Sequence, residues 1–346
     1  MSPPTSSRTR LIAFGVLLAL CVVGAGVAIL AGAHSGGSSA KVSAGASTAL
    51  TDARSADRPV VVYRRLDHRG QIAIAPVSDP AATPVNTSLS CDRVAFSGGR
   101  GICLTRSSGF AAGYRAALFD TSMHVTANVP VEGIPSRARV SPDGRYGAVT
   151  LFVAGHAYAA PGTFSTQTTL IDMQDGRKIA DLEKFTTFDG DDQITAVDVN
   201  YWGVTFASDD DTFYATLATG GKTYLIRGSI RSRTARTLHT NVECPSLSPD
   251  GTRIAYKKRT GSSSAPWRLT VLDLKTMRET PLAETRSVDD QVMWLDDRQV
   301  LYGVDGAVWK TAADGSGRPT RYLAHGDSPA VVRWGSGATP SPSSGT

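Results

Sequence analysis

One pattern occurs twice in this chain, as Ser141-Pro142-Asp143-Gly144-Arg145-Tyr146-Gly147-Ala148-Val149 and as Ser248-Pro249-Asp250-Gly251-Thr252-Arg253-Ile254-Ala255-Tyr256. In both runs a polar turn leads into a half-apolar strand. Proline presets φ at the second turn position, aspartate bonds its own backbone, and glycine takes the positive φ that a tight reversal needs. The pattern therefore predicts two structural turns, at residues 141–144 and 248–251, each between two strands of a repeat.

Short β-type runs surround each turn at a recurring spacing, which is the signature of a repeat architecture. Around the second turn they predict four strands, at residues 245–248, 252–258, 267–273 and 277–283. The same order of strand, turn and three further strands occurs four more times. Those units begin near Arg93, Arg137, Trp202 and Gln291, so the sequence predicts five complete four-stranded blades.

A sixth blade is split between two distant parts of the chain. Residues 59–65, 71–77 and 84–89 predict three strands with no inner strand before them, whereas residues 329–334 predict an inner strand with nothing after it. Pairing the 329–334 strand with the 59–89 strands would close a ring and leave no long exposed edge. The sequence thus predicts an all-β, six-bladed β-propeller over residues 58–334.

With its two Ser-Pro-Asp-Gly turns and the strands that follow them, the region from Pro59 to Trp334 resembles the TolB-type six-bladed β-propeller, a family of WD40-like repeats. The resemblance implies a protein-interaction scaffold in the cell envelope. It implies no catalytic residue, because the shared motif is a structural turn. The same motif accompanies serine peptidases, but their hydrolase domain requires a Gly-x-Ser-x-Gly nucleophile elbow, and this sequence contains none.

The N-terminal segment has the pattern of a membrane anchor. Residues 1–10 carry Arg8 and Arg10 and no acid, and residues 11–33 form an uncharged apolar stretch long enough to cross a bilayer of about 30 Å as a helix. Positive charge stays on the cytoplasmic side. We therefore predict a cytoplasmic N-terminus, a transmembrane signal anchor at 11–33, and an extracytoplasmic propeller on the cytoplasmic membrane. Cleavage as a signal peptide, which would release a secreted protein, is the alternative.

Two further segments are rich in small and polar residues. Residues 34–57, rich in Ser, Ala and Gly, show no hydrophobic period and predict a flexible stalk. Residues 335–346, rich in Gly, Ser, Pro and Thr, predict a disordered tail.

The overall charge gives no sign of a nucleic-acid partner. A net charge of +5 arises from 36 basic and 31 acidic residues spread along the sequence, without the clustered Lys/Arg stripe of a nucleic-acid surface. The 34 glycines and 18 prolines favour many turns over long helices. We expect no nucleic-acid binding, and we expect the propeller to be monomeric.

Three cysteines lie outside the predicted anchor: Cys91, Cys103 and Cys244. An oxidising compartment permits a disulfide. Cys91 and Cys103 flank one hairpin, so a bridge between them is geometrically the easiest, although the expected strand register leaves them out of step. Cys244 occupies in its blade the place that Cys91 has in its own, so one thiol remains free or pairs between molecules.

No residue pattern in the sequence predicts a catalytic centre, a cofactor or a metal site. The six histidines are dispersed without metal-ligand spacing, and the acidic groups at 189–192 and 209–211 lack the full spacing of a Ca²⁺ loop. We predict a non-catalytic, membrane-anchored scaffold that binds an envelope protein, peptide, polymer or other ligand. The alternative is a propeller hydrolase or lyase with its site at the mouth of the central channel.

Overall fold

The computed structural model describes residues 44–107, 113–153 and 165–334. The predicted cytoplasmic segment 1–10, the predicted anchor 11–33 and the predicted tail 335–346 lie outside the described residues. Within the described part of the chain, no helix is both long and apolar enough to cross a membrane.

Six sheets form the described part of the chain, so the all-β, six-bladed architecture expected from the repeat is confirmed. Blade 1 combines strands from both ends of the described chain. It contains β1 (Val60–Arg65), β2 (Gln71–Pro76), β3 (Val85–Ser90) and β26 (Gly326–Val332).

Blades 2 and 3 follow in chain order, each with four antiparallel strands. Blade 2 contains β4 (Arg93–Ser97), β5 (Arg100–Arg106), β6 (Tyr114–Asp120) and β7 (Val125–Val131). Blade 3 contains β8 (Ile134–Val140), β9 (Tyr146–Val153), β10 (Ser165–Asp172) and β11 (Lys178–Asp181).

Blade 4 has two strands more than the sequence analysis predicted. Its strands are β12 (Thr186–Asp189), β13 (Asp192–Gln193), β14 (Asn200–Phe206), β15 (Thr212–Thr219), β16 (Lys222–Ser229) and β17 (Thr234–Thr240). After a one-turn 3-10 helix (Leu182–Lys184), the chain runs along the outside of blade 4, where β12 pairs in parallel with β17. It then returns to the axis as β14. The connection between blades 3 and 4 therefore also covers the outer edge of blade 4, formed by β17.

Blades 5 and 6 return to the four-stranded pattern. Blade 5 contains β18 (Glu243–Leu247), β19 (Arg253–Arg259), β20 (Trp267–Asp273) and β21 (Glu279–Pro281). Blade 6 contains β22 (Met293–Trp294), β23 (Gln299–Val304), β24 (Ala307–Ala312) and β25 (Thr320–Leu323).

The inner strands β26, β4, β8, β14, β18 and β22 contact one another in a closed ring around a central axis. Strand β26 pairs with β1 through Val60 opposite Val332 and Arg65 opposite Gly326, where the split blade was expected to close. We call the end of the axis that carries the turns between first and second strands the turn face. The opposite end, where the inner strands begin, is the mouth face.

The central strands of each blade are buried on both sides, because each sheet is packed between two neighbouring sheets. On β19, the three consecutive residues Ile254, Ala255 and Tyr256 are all fully buried. This explains why these strands are continuous apolar runs: side chains on both faces of the strand pack against neighbouring blades.

Both Ser-Pro-Asp-Gly runs form the turns that their sequence predicts. In the first, the backbone N–H of Gly144 donates to the Ser141 carbonyl at 2.9 Å, and that of Arg145 donates to the Asp143 carboxylate at 3.0 Å. Gly144 has φ +78°. The second turn repeats both bonds at 2.9 and 3.0 Å, and its glycine, Gly251, has φ +70°.

The two turn glycines differ in their surroundings, and this difference predicts different costs of substitution. A Cβ at Gly251 would meet no atom within 4 Å, so Gly251→Val should cost only the left-handed backbone strain, about 1–2 kcal/mol. A Cβ at Gly144 would lie 2.6 Å from the carbonyl oxygen of Gly98 on blade 2. Gly144→Val should therefore destabilise more, as measured by urea unfolding. An equal loss of unfolding free energy in both variants would contradict the role of the contact between blades. An unchanged unfolding free energy in Gly251→Val would contradict the predicted backbone strain.

Residues 44–55 form a helix, α1, where a flexible stalk was expected over residues 34–57. The buried residues Ala46, Leu50 and Ala53 follow the i, i+4, i+7 spacing of one helix face. They pack with Val60 of blade 1 and Phe119 of blade 2 in one apolar cluster. The prediction was wrong for this part of the segment because two of the three buried residues are alanines, which resemble linker composition.

Cys91 and Cys103 form a disulfide, and Cys244 is a free, buried cysteine. The strand register is indeed out of step, since Cys103 lies opposite Val94 and not opposite Cys91. The chain bends just before β4, however, and brings the two Cα atoms to 5.3 Å. That distance falls within the ordinary range for a disulfide.

Candidate functional site

Charged side chains from three blades, and from the connection between blades 5 and 6, line the central axis from the mouth face inward. They line two adjoining cavities that share Arg93, Asp290 and Ser328. The inner cavity, which extends along the inner strands, has a volume of about 30 Å³. The outer cavity lies beside the loops of blades 1 and 6 and has a volume of about 180 Å³.

Three arginines line the inner cavity. Arg93 begins β4, whereas Arg137 and Arg139 lie two residues apart on β8 and so project from the same face of that strand. Among the lining residues, Asp290 supplies the only carboxylate. The inner cavity therefore has an excess of positive charge.

Arg137 belongs to an ion-paired group at the edge of the site. One of its terminal nitrogens lies 3.2 Å from Asp289 Oδ1, and Lys257 Nζ lies 2.5 Å from the same oxygen. Enclosure in the mouth tends to raise the pKa of Asp289, but Lys257 and Arg137 outweigh this effect and lower it. Lys257 is almost fully buried and lies over the Trp267 ring, 4.2 Å from its centre. The charges of this group are therefore paired, although the buried Nε of Arg137 makes no hydrogen bond to the described residues.

Arg93 and Arg139 have no such partner: among the described residues, no carboxylate oxygen lies within 4.0 Å of either guanidinium. Arg93 donates to the backbone carbonyls of Ser136 and Asp92. Arg139 donates to the Val292 carbonyl at 3.1 Å, and its buried Nε has no hydrogen-bond partner. Burial lowers the pKa of Arg139 to about 10, so its guanidinium remains charged at neutral pH.

The outer cavity has the opposite charge, because Asp289, Asp290 and Asp327 line it together with a single arginine, Arg93. Asp327 accepts a hydrogen bond from Arg64 at 2.9 Å through Oδ2, while its buried Oδ1 has no hydrogen-bond partner in the described ranges. Burial raises the pKa of Asp327, and neighbouring Asp290 adds to the rise, against the opposing effect of Arg64 and Arg93. Within the described part of the chain, Asp290 itself accepts hydrogen bonds only from backbone N–H groups, those of Gln291 and Gly303.

The backbone around the axis is irregular at the level of these charges. Cys244 and Ser328 have φ +50° and +49°, in the left-handed region that non-glycine residues rarely adopt. The pairing register shifts beside both residues, between Glu243 and Ser246 and between Val62 and Arg64. Bulges and strained residues of this kind concentrate at functional sites, where they redirect side chains.

The turns and the disulfide predicted from the sequence lie away from this site. Ser141, Pro142, Asp143 and Gly144, and likewise Ser248, Pro249, Asp250 and Gly251, belong to the turn face. Cys91 and Cys103 line neither cavity. The acidic loop at 209–211 caps its own turns, since Asp209 accepts from the Thr212 backbone N–H at 2.7 Å. Among the described residues, no group of three or more His, Cys, Asp or Glu side chains could hold a metal ion.

The axial charges were missed in the sequence analysis, although one signal for them was present. Arg137 and Arg139 lie on the same face of a predicted inner strand, where two apolar residues would be expected to pack against the next blade, and inner strands border the axis. The carboxylates had no comparable signal, because Asp289 and Asp290 lie in a long connection and Asp327 lies two residues before the predicted strand at 329–334.

The fold and the axial site define a six-bladed β-propeller with a charged central cavity. No protein-family model matches this chain, and no curated protein matches it. The chain does resemble solved propeller structures. It matches TolB from Acinetobacter baumannii with a TM-score of 0.56 and 17% identity, covering 80% of this chain and 66% of that one. This likeness shows a TolB-like fold.

Propeller-containing peptidases also occur among the similar structures. A puromycin-hydrolyzing peptidase from Mycobacterium tuberculosis matches with a TM-score of 0.47 and 14% identity, over 77% of this chain and 43% of that one. The tricorn protease matches with a TM-score of 0.47 and 10% identity, over 80% of this chain and 30% of that one. Because the chain spans less than two thirds of each of these proteins, their whole-protein activities do not transfer to it.

Proposed function

We propose that this protein is a membrane-anchored, extracytoplasmic β-propeller that binds a protein or ligand of the cell envelope at its mouth face, without catalysing a reaction. The anchor is the apolar segment 11–33. The observation that supports binding is the axial cavity: among the described residues, Arg139 Nε and Asp327 Oδ1 are buried without a hydrogen-bond partner, and Arg93 has no carboxylate within 4.0 Å. Buried charges are normally paired, so such groups favour a bound polar partner.

The mouth face can be tested with one exposed residue at its edge. Leu66 lines the outer cavity and is 38% exposed, so Leu66→Arg adds bulk and charge at the entrance without disturbing the core. We expect crosslinking of intact envelopes to capture a partner that is lost in this variant. The matched control is Val125→Arg, on the outer strand β7 and 43% exposed, which should retain capture.

Mass spectrometry of the same membrane fraction determines the N-terminus and thereby tests the anchor. A mature chain that begins after residue 33 would contradict the anchor and support the secreted alternative. Capture that is equal in both variants, or that is lost in both, would contradict binding at the mouth face.

A second candidate is a hydrolase with its site at the channel mouth, and the pair Asp290 and Asp327 favours it. Both carboxyl groups line the outer cavity, and the pKa of Asp327 is raised by burial and by Asp290. Two neighbouring carboxyl groups, one of which has a raised pKa, are a common arrangement for general acid catalysis. Asp327→Asn should abolish any hydrolysis of esters, lactones or glycosides by the purified protein. Hydrolysis that persists in this variant would exclude the site.

A further inference from the structure

The two axial cavities form a polarised site. The inner cavity is lined by three arginines and one aspartate, and the outer cavity by one arginine and three aspartates. The positive group of a ligand is therefore favoured at the mouth and its negative group further along the axis.

The inner cavity has donors for an anion. Arg139 is held in place by the Val292 carbonyl and by Ser246 Oγ at 3.5 Å, yet its guanidinium has no carboxylate partner among the described residues. Arg93 lines the same cavity and is likewise without a carboxylate. Two guanidinium groups match the planar geometry of a carboxylate. A volume of about 30 Å³ suits a group of a few atoms.

The outer cavity has acceptors for a cation. Asp327 Oδ1 is buried without a partner, and Asp290 has no cation within 4.0 Å among the described residues. An ammonium group donates three hydrogen bonds and could satisfy both carboxylates. The outer volume of about 180 Å³ is below the usual size of drug-like sites, roughly 300–1,000 Å³, so the ligand must be small.

Resting on the proposed function, we infer that the axial site binds a small zwitterion of the amino-acid class. Its carboxylate lies against Arg93 and Arg139, and its ammonium lies against Asp290 and Asp327. Each half meets groups that are incompletely paired among the described residues: guanidinium groups without a carboxylate on one side, and Asp290 and the Oδ1 atom of Asp327 on the other. The two halves together should therefore bind more tightly than either one alone.

A series of probes tests the polarity. Glycine, β-alanine, γ-aminobutyrate and ε-aminocaproate carry the two charges at increasing separation, while acetate and methylammonium each carry one. Measured by calorimetry and by the rise in melting temperature of the full chain, one zwitterion should bind at least about tenfold more tightly than acetate or methylammonium, a difference of about 1.4 kcal/mol. Equal affinity for acetate and every zwitterion, or no binding by any probe, would overturn the inference.

Variants test which residues bind the carboxylate of the ligand and which bind its ammonium group. Arg139→Gln should remove acetate binding, whereas Asp327→Asn should keep acetate binding and remove methylammonium binding. Both should weaken the preferred zwitterion by about tenfold or more. Arg139→Lys keeps the charge and separates loss of the anion site from loss of folding. The controls are Arg145→Gln and Asp79→Asn, two exposed residues outside the cavities, which should bind like the unaltered protein. Loss of zwitterion binding in the controls, or its retention in both axial variants, would contradict the assignment.

The outcome is separable from that of the proposed function. If Leu66→Arg abolishes partner capture but no zwitterion binds, the inference is wrong and the binding scaffold stands. If zwitterions bind with the expected polarity but capture is insensitive to Leu66→Arg, the small-ligand site stands and the mouth face is not the docking surface.

Discussion

A chain that ends after His325 should not fold into a stable propeller. The truncation removes β26, which buries Ala330, Val331 and Val332 against two apolar clusters and pairs along β1. Each buried valine stabilises the fold by about 1.5–3 kcal/mol, and each ladder hydrogen bond adds about 1 kcal/mol. Those losses approach the whole stability of a typical domain, about 5–15 kcal/mol. We expect loss of the cooperative unfolding transition in circular dichroism.

The matched control ends after Trp334 and omits only the predicted tail. It keeps β26 and the bond from Trp334 Nε1 to the Arg58 carbonyl at 2.9 Å. This control should unfold at the same temperature as the full chain. If the chain that ends after His325 also unfolds cooperatively at that temperature, closure of the ring by β26 is contradicted.

Glu183→Gln should make the protein more stable above pH 8 and should remove one cause of the change in its unfolding free energy with pH. Glu183 lies in the 3-10 helix between blades 3 and 4, where its two carboxylate oxygens accept from the Thr168 backbone N–H at 3.0 and 3.2 Å. Burial raises its pKa to about 8, because removal from water disfavours the charged form, and the carboxylate of Asp181 adds to the rise. The neutral glutamine resembles the protonated acid.

The direction of the pH effect follows from proton binding. Between the unfolded pKa of 4.5 and the folded pKa of about 8, the folded state binds the proton more tightly. The contribution of protonated Glu183 to the free energy of unfolding is fully present below pH 4.5 and is lost as the pH rises through about 8. The free energy of unfolding, from urea titrations, should fall over this range more steeply in the unaltered protein than in Glu183→Gln.

Glu132→Gln serves as the control for this comparison. Glu132 is exposed on the connection between blades 2 and 3, so its replacement should leave the pH profile of the free energy of unfolding unchanged. Parallel profiles for the unaltered protein and Glu183→Gln would show that Glu183 ionises in the folded protein as it does in the unfolded chain.

The fold could be predicted from the sequence because its signals are local. A Pro-Asp-Gly turn and an apolar run are each encoded within a few residues, and repetition fixed the number of blades. Strand β12 and helix α1 were missed for the opposite reason. Thr186 pairs with Thr234 far along the chain, and Ala46 and Ala53 are too small to show a clear hydrophobic period.

The site could not be predicted in the same way, because its geometry is set by the ring. Arg139 and Asp327 are nearly two hundred residues apart, and only closure of the ring brings their strands to the same axis. Ser328 lines both cavities with a positive φ, and the sequence gives no sign of this either, since serine has no preference for a positive φ.

Helix α1 also shortens the segment that would tether an anchored propeller. It leads into β1 at Val60, which lies at the turn face, opposite the cavities. Only ten residues lie between a span at 11–33 and the start of the helix, and they can reach at most about 35 Å. A fully flexible stalk over residues 34–57 would have twenty-four residues and could reach about 85 Å. A tethered propeller would thus be held closer to the bilayer than a stalk at 34–57 would hold it, and this limits how far its mouth face could reach from the membrane.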